Sequence, residues 1–173
     1  MYVSTDSETE LIAAGRLDPD LVCITVCDQE TLEPELYDHF EAEEVLAELF
    51  TNEDIIQVGV NFAFDAAVFI RRYPALLKPI FAAYRAGRIL DVGLAQRLID
   101  IANGELDGTY NHMGVYVKYY YSLAALHERW GLGALQKTDT FRLRFGELKH
   151  LRKADYPEEA TRYALDDASA GLR

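Results

Sequence analysis

The chain has 173 residues, half of them hydrophobic, which is enough to bury the core of one domain. It contains no run of about 18 apolar residues and no basic-then-apolar leader before its first predicted strand, so we expect neither a membrane span nor secretion. A net charge of −12, taken over the whole chain, argues against nucleic acid as a partner.

The charge is unevenly distributed along the chain. Residues 1–70 carry 17 acidic side chains and one basic side chain, Arg16, whereas residues 71–173 carry 16 basic and 12 acidic ones. An acidic half can hold divalent cations, and a local basic face is enough to contact a phosphate backbone. A soluble acidic protein with an uneven surface would show the same pattern, so the charge alone decides nothing.

The predicted strands come mostly before the predicted helices. Strands are expected at Tyr2–Glu8, Leu21–Asp28, Ile55–Val60 and Ile89–Leu90, with a weaker one at Thr31–Tyr37. Helical spacing of the apolar residues predicts helices at Glu41–Phe50, Ala63–Arg72, Pro74–Ala86, Val92–Ala102 and Ser122–Trp130. A last helix begins after Asp155, which forms a capping-box pattern with Glu158, and continues to the end of the chain. This order predicts an α/β domain with a mixed sheet, in which the first strands form an antiparallel hairpin.

Two segments need separate comment. Cys23 and Cys27 lie four residues apart in a predicted strand, so both should face the core; a disulfide between them would require the strand to buckle. We therefore expect a cytoplasmic protein. The segment Gly104–Tyr121 looks irregular and is rich in tyrosine near Lys118. These tyrosines could stack on bases of a single strand, although packing in the core or against a helix is the favoured interpretation.

Asp6 and Glu8 are the first candidate site residues. Side chains two residues apart in a strand point to the same face, so the two carboxylates should lie side by side. Carboxylates this close repel each other unless one is protonated or a cation lies between them. A solvated pair at the rim of the sheet is the commoner explanation for such a pattern.

Asp65 is the second candidate. It ends the stretch Asn61-Phe-Ala-Phe-Asp65, which directly follows the buried strand Ile55–Val60 and opens a helix. Open α/β sheets place ligands beyond the C-terminal ends of their strands. The alternative is an acidic residue that stabilises a helix N-terminus beside a capping asparagine.

Tyr163 and Asp167 form the third candidate. At a spacing of four residues they share one face of the last helix, so hydroxyl and carboxylate can converge on one site. Asp166 is rotated by about 100° and should face elsewhere. The alternative is that Tyr163 belongs to the core and that both aspartates are solvated.

The three motifs together are far more specific than each one alone. Asp-x-Glu, Asn-x-x-Phe-Asp and Tyr-x-x-x-Asp, in this order, resemble the DEDD 3′-5′ exonucleases of the tyrosine-bearing branch. The resemblance is strongest to the proofreading exonuclease domain of family A DNA polymerases, particularly those of bacteriophages. The histidine-bearing branch would place a histidine where Arg162 stands. Further stretches that share the resemblance are RILDV with Asp91, SLAALHERWGL (122–132), KTDTFRLRFGEL (137–148) and YPEEATRYALDDA (156–168).

Two departures from the family pattern are small. Phe62 stands where a smaller residue is more usual, and the segment Ala102–Tyr121 is longer than expected. Neither involves a candidate carboxylate. The resemblance implies a ribonuclease H-like fold and a single exonuclease domain over residues 1–173, which could be a piece of a longer DNA polymerase.

The resemblance also implies a two-ion site, with ions about 4 Å apart. Asp6, Glu8 and Asp167 would bind the first ion, and Asp6 would bridge to the second, which Asp65 also holds. Tyr163 would orient the attacking water. An oxygen-only site suits Mg²⁺, with Mn²⁺ as a substitute, and the products would be 5′-mononucleotides.

The resemblance further implies contacts to the substrate. Leu11 and Ile12 would lie against the terminal bases, and Asn61 would make a polar contact, although ordinary core packing explains the two apolar residues equally well. The expected partner is the 3′ end of single-stranded DNA, with a DNA polymerase domain in cis or in trans. If the protein is phage-encoded, its compartment is the host cytoplasm.

Two other functions stay open. An exoribonuclease resembling ribonuclease D would share the three motifs, and recognition of the 2′-hydroxyl would distinguish the two substrates. A nucleic-acid-binding domain without activity is the alternative from another class. It is disfavoured because all four acids and the tyrosine are present.

Overall fold

The computed structural model describes residues 1–15, 18–105, 108–135 and 140–172, without the side chains of Thr140 and Arg142. Its main sheet has five strands: β1 (Tyr2–Thr9), β2 (Leu21–Asp28), β3 (Glu35–Asp38), β4 (Ile56–Gly59) and β5 (Ile89–Asp91). Their order in the sheet is β3-β2-β1-β4-β5. The pairs β1–β2 and β2–β3 are antiparallel, whereas β4 is parallel to both β1 and β5. The predicted α/β fold with a mixed sheet and an antiparallel hairpin is therefore confirmed.

Helices flank this sheet. The α-helices are α1 (Ala42–Thr51), α2 (Phe62–Arg72), α3 (Leu77–Arg85), α4 (Val92–Ala102), α5 (Leu123–Arg129) and α6 (Glu158–Ala170). Short 3₁₀ turns occur at Pro74–Leu76, Thr140–Leu143, Phe145–Leu148 and Lys153–Asp155. Ser122 caps α5 as predicted, since its hydroxyl accepts a hydrogen bond from the backbone N–H of Ala125.

The sheet separates two hydrophobic cores. On one side, the fully buried rings of Phe50, Phe62 and Phe69 join α1 and α2, with ring centroids 6.2 and 6.3 Å apart. On the other side, α6 packs on β2 through a cluster that contains Cys23 and Tyr163. Side chains of β1 alternate between these two sides because the strand has a period of two. The two faces of β1, the middle strand of the sheet, therefore lie in different chemical environments.

Several predicted details need correction. The capping box at the last helix is wrong, because Asp155 lies in a 3₁₀ turn and the cap position of α6 is Pro157, which has no side-chain acceptor. The helix predicted over Pro74–Ala86 begins as a 3₁₀ turn, and α6 ends at Ala170 rather than at the end of the chain. The segment predicted to be irregular contains a small hairpin of β6 (Gly108–Tyr110) and β7 (Tyr116–Lys118).

Other expectations from the sequence have clear outcomes. Cys23 and Cys27 are both buried and are thiols, not a disulfide, as predicted. Arg16 and residues 137–139, which belong to the charge and resemblance arguments, lie outside the described residues. In the part of the chain that the structure describes, no helix combines the length and the apolar character needed to cross a bilayer.

Candidate active site

Three carboxylates converge at the middle of the sheet. Asp6 and Glu8 come from one face of β1 and Asp167 comes from α6, and one ligand oxygen of each lies within 4.8 Å of the others. All three side chains are partly exposed, so a hydrated ion can reach them. Three carboxylates at this separation repel each other, and a divalent cation would relieve that repulsion. Because every donor is a carboxylate oxygen, the set fits Mg²⁺ or Mn²⁺ and not a soft metal.

Small residues allow α6 to approach the sheet. Ala160, Ala164 and Ala168 are spaced by four residues and are all fully buried, so they form one narrow face of the helix. Just beyond the helix, a Cβ placed on Gly171 would lie 2.2 Å from the hydroxyl oxygen of Ser4 in β1. A larger side chain at this position would push the end of the helix away from the strand. The close approach brings Asp167 to Asp6 and Glu8.

Asp65 lies beside this cluster and is not one of its three members. It is buried in the first turn of α2, where its Oδ1 accepts a short hydrogen bond from the hydroxyl of Ser7. Ser7 separates Asp6 from Glu8 in the strand, so its side chain points to the α2 side of the sheet while theirs point to the α6 side. The segment from Asp6 to Glu8 thus contributes two acids to the cluster and, through Ser7, a hydrogen bond to the fourth acid, Asp65.

The electrostatic environment of Asp65 reflects this position. Burial raises the pKa of its carboxyl group well above the ordinary value, and the negative charge of Asp6 raises it further. The hydrogen bond from Ser7 acts in the opposite direction, because it stabilises the ionised form. Burial, together with the charges of Glu8 and Asp6, also raises the pKa of the Cys23 thiol. The site is therefore a region of negative potential, which attracts cations.

Tyr163 is positioned by packing. Its ring is buried, and its centroid lies 5.9 Å from that of Phe145. It occupies the position one turn before Asp167 on the inward half of α6, whereas Asp166 is exposed to solvent. The predicted division between the two aspartates is confirmed. The ring of Tyr163 also packs in the core, as the alternative predicted. This packing limits the directions in which its hydroxyl group can point.

Asn61 occupies a strained turn between β4 and α2. Its backbone is left-handed, with φ 60° and ψ 39°, a conformation that asparagine tolerates better than most residues. Asp91 supports this turn, since its Oδ2 accepts a 3.0 Å hydrogen bond from the N–H of Phe62 and its Oδ1 accepts another from the N–H of Leu94. One carboxylate thus joins the N-termini of α2 and α4. The resemblance pointed to Asp91, but only the structure shows this role.

A cavity of about 390 Å³ opens beside the acids. It is large enough for a nucleotide-sized ligand. Its lining residues are Ser4, Thr5, Asp6, Gly59, Val60, Asn61, Tyr121, Ser122, Leu123, Asp167 and Gly171. Asn61 thus lines the same cavity as two of the candidate metal ligands, Asp6 and Asp167.

Leu11 and Ile12 lie outside the core. They follow the end of β1, and each is 61% exposed, so the alternative of ordinary core packing is wrong for both. Ser7 is the residue of this site that the sequence reasoning missed. The available signal was its place between two acids on a strand, which turns its side chain toward the helix that carries Asp65.

Two solved structures of known proteins have a similar fold. The structure resembles the EXO domain of Nibbler from Aedes aegypti, with a TM-score of 0.64 and 17% identity over 99% of this chain and 74% of that one. It also resembles ribonuclease D from Escherichia coli, an exoribonuclease involved in structured RNA processing, with a TM-score of 0.62 and 17% identity. That match covers 98% of this chain and 36% of the ribonuclease.

These likenesses show that the fold is the ribonuclease H-like fold of such exonucleases. A comparison with curated protein sequences finds no significant match. The sequence model of the 3′-5′ exonuclease family, in contrast, matches residues 1–173. Because this match spans the whole sequence, the chain belongs to the 3′-5′ exonuclease family.

Proposed function

We propose that this domain removes nucleotides one at a time from the 3′ ends of DNA in a reaction that depends on divalent metal ions. The products would be 5′-mononucleotides, and the biological role would be proofreading for a DNA polymerase, in cis or in trans. The observation that carries the proposal is the convergence of Asp6, Glu8 and Asp167 from two separate elements onto one point. Three carboxylates held this close together repel one another, and a bound cation would relieve that repulsion.

The position of each candidate site residue supports a specific role in this reaction. Asp6, Glu8 and Asp167 would hold Mg²⁺, and Asp65 would complete a second position next to Asp6. The bound ions would neutralise charge on the phosphate and make a water molecule more acidic. Tyr163 would direct that water through a hydrogen bond, because its ring is fixed against Phe145 one turn before Asp167. Asn61 would contact the terminal nucleotide in the adjoining cavity.

The competing substrate is RNA. One of the two structural neighbours described above is named as an exoribonuclease, although at 17% identity the likeness establishes the fold alone. The same four acids would serve either substrate, so the choice depends on how the cavity accepts or rejects a 2′-hydroxyl. A domain that binds nucleic acid without cleaving it is the remaining alternative.

The deciding experiment compares single-stranded DNA and RNA of the same sequence, each labelled at its 5′ end, with Mg²⁺ and with a chelator. We expect a ladder of DNA products that shorten by one nucleotide at a time, no reaction with chelator, and slower cleavage of RNA. Faster cleavage of RNA would support the exoribonuclease instead. Cleavage within the strand, or activity that survives chelation, would contradict the metal-dependent exonuclease altogether.

A further inference from the structure

The segment Gly108–Tyr121, which we call the tyrosine hairpin, presents aromatic rings to solvent. Tyr110, Tyr116 and Tyr120 are 72%, 49% and 64% exposed, so the expectation that the tyrosines near Lys118 pack in the core or against a helix is wrong for Tyr116 and Tyr120. The rings of Tyr110 and Tyr116 meet edge to face with centroids 5.5 Å apart. The ammonium group of Lys118 lies 5.5 Å from the centre of the Tyr120 ring. A contiguous group of exposed aromatic side chains is typical of a surface that binds a partner or ligand.

The base of the hairpin is rigidly attached to the domain. The hydroxyl of Tyr121 donates a 2.9 Å hydrogen bond to Oδ2 of Asp100. The guanidinium group of Arg129 donates one 2.6 Å hydrogen bond to each oxygen of the same carboxylate. The same guanidinium group stacks 3.9 Å from the ring centroid of Tyr119, whose hydroxyl donates to Glu105. The two tyrosines near the base thus serve as anchors. The exposed tyrosines contact residues of the hairpin itself: Tyr110 meets Tyr116, and Tyr120 lies beside Lys118.

The charge of the hairpin differs from that of the rest of the protein. Residues 108–121 contain no acidic side chain, although the whole chain has a net charge of −12. Their ionisable basic side chains are Lys118 and His112, and five of the chain's eleven tyrosines lie within these fourteen residues. Aromatic rings combined with a cation and free of carboxylates suit single-stranded nucleic acid, because bases stack on the rings and phosphates meet the cation.

The hairpin is continuous with the candidate active site. Tyr121, at its base, lines the same cavity as Asp6 and Asp167. Gly93 makes room for this arrangement, since a Cβ there would lie 3.0 Å from the carbonyl oxygen of Tyr121. A strand whose 3′ end lies at the acids can therefore pass from the cavity directly onto the exposed rings.

We propose that the tyrosine hairpin binds the single-stranded nucleic acid upstream of the bond that is cleaved, by stacking bases on Tyr110 and Tyr120. This inference rests on the proposed function, since it assumes that the strand ends at the acids. It predicts that the hairpin contributes to the binding of long substrates and not to the chemistry at the 3′ end. A dinucleotide has a single nucleotide upstream of the cleaved bond, so we expect its cleavage to be independent of the hairpin.

The test compares a 12-nucleotide single strand with a dinucleotide, using the native protein, the double variant Tyr110→Ala/Tyr120→Ala, and the control Tyr2→Ala. Tyr2 is also an exposed tyrosine, 44% accessible, at the end of β1 opposite to Glu8. We expect kcat/KM of the double variant on the 12-mer to fall by at least tenfold, with an unchanged value on the dinucleotide. Tyr2→Ala should match the native protein on both substrates.

Equal activity of the double variant and the native protein on the 12-mer would overturn the hairpin proposal, as would an equal loss on both substrates. Binding of a fluorescent 12-mer in the presence of chelator, followed by anisotropy, separates this proposal from the proposed function. If the native protein cleaves neither substrate but binds the 12-mer at least tenfold more tightly than the double variant, the exonuclease proposal fails and the hairpin still binds single strands. Equal Kd values for the two proteins would overturn the hairpin proposal whatever the activity.

Discussion

The hydroxyl of Ser7 donates its hydrogen bond to Oδ1 of Asp65 from the opposite side of the strand to Asp6 and Glu8. Asp65 is buried and close enough to Asp6 for the charge of Asp6 to raise its pKa. Without Ser7, the carboxylate would lose the hydrogen bond that favours its ionised form. Ser7 therefore acts as a positioning residue: its hydrogen bond orients Asp65 and opposes the rise in pKa that burial and Asp6 cause.

Replacing Ser7 should test this role. Ser7→Ala is expected to lower kcat by about tenfold and to raise the Mg²⁺ concentration needed for half-maximal activity, because loss of an outer-shell partner typically costs 10- to 100-fold in metal affinity or activity. Ser7→Thr retains a hydroxyl and should recover most of the loss. Ser169→Ala, which removes a hydroxyl that donates to the backbone carbonyl of Asp166 within α6, is the matched control. An alanine variant with the native Mg²⁺ dependence would show that the hydrogen bond is merely structural.

Substitutions of two aspartates should differ sharply. Asp6→Ala removes a carboxylate that belongs to the cluster, and we expect activity to fall on the order of a thousandfold, because a bound ion contributes several kcal/mol of charge stabilisation. Asp166→Ala removes an exposed carboxylate next to Asp167 in sequence and should retain most of the activity. Initial rates on the labelled DNA strand provide the comparison. Similar losses in the two variants would mean that the wrong face of α6 has been assigned to the site.

The sequence was sufficient for the parts of the site that depend on local periodicity. The alternation of a strand placed Asp6 beside Glu8, and the helical repeat separated Asp167 from Asp166. The buried, β-branched run before Asn61 correctly predicted β4. In each case the spacing of a few neighbouring residues determines which way a side chain points.

Relationships between distant residues could not be predicted in this way. The bond from Ser7 to Asp65 and the two bonds of Asp91 connect elements that are far apart in sequence, so no local pattern reveals them. The hairpin at Gly108–Tyr121 was missed for a different reason. Its strands have three residues each, too few for a period of two to be recognised, and Tyr116 and Tyr120 are exposed where hydrophobicity predicted burial.

The ion pair between the buried carboxylate of Asp100 and the partly exposed guanidinium group of Arg129 should make stability depend on pH. Hydrogen bonds from Arg129 hold the pKa of Asp100 at about 2, below the value of about 3.9 expected in the unfolded chain. Because the folded pKa is the lower one, the stabilisation is complete above the unfolded value and is lost as the pH falls toward 2. Asp100→Asn should therefore lower the free energy of unfolding at pH 7 by about 2 kcal/mol, and this difference should shrink between pH 5 and pH 3.

Urea unfolding of both proteins at several pH values would measure this effect. Glu147→Gln is a suitable control, since it breaks an exposed ion pair with Arg144 and should change stability far less. A difference between native protein and Asp100→Asn that stays constant from pH 7 to pH 3 would contradict the role assigned to the ion pair.

The last prediction concerns the stability of the metal site itself. The clustered carboxylates of Asp6, Glu8 and Asp167 repel each other without a cation, and Mg²⁺ binds their folded arrangement but not the unfolded chain. Binding should stabilise the fold by about 2.7 kcal/mol at a hundredfold excess over Kd. The melting temperature of the native protein should therefore rise with Mg²⁺ or Mn²⁺.

In Asp6→Asn the repulsion is relieved and a shared ligand is lost. This variant should be at least as stable as the native protein without metal, and should gain much less when Mg²⁺ is added. Sodium chloride at the same ionic strength is the control for general screening. If the acids were only solvated rim residues, Mg²⁺ and sodium chloride would give the same melting curves for both proteins, and the proposed metal site would have to be abandoned.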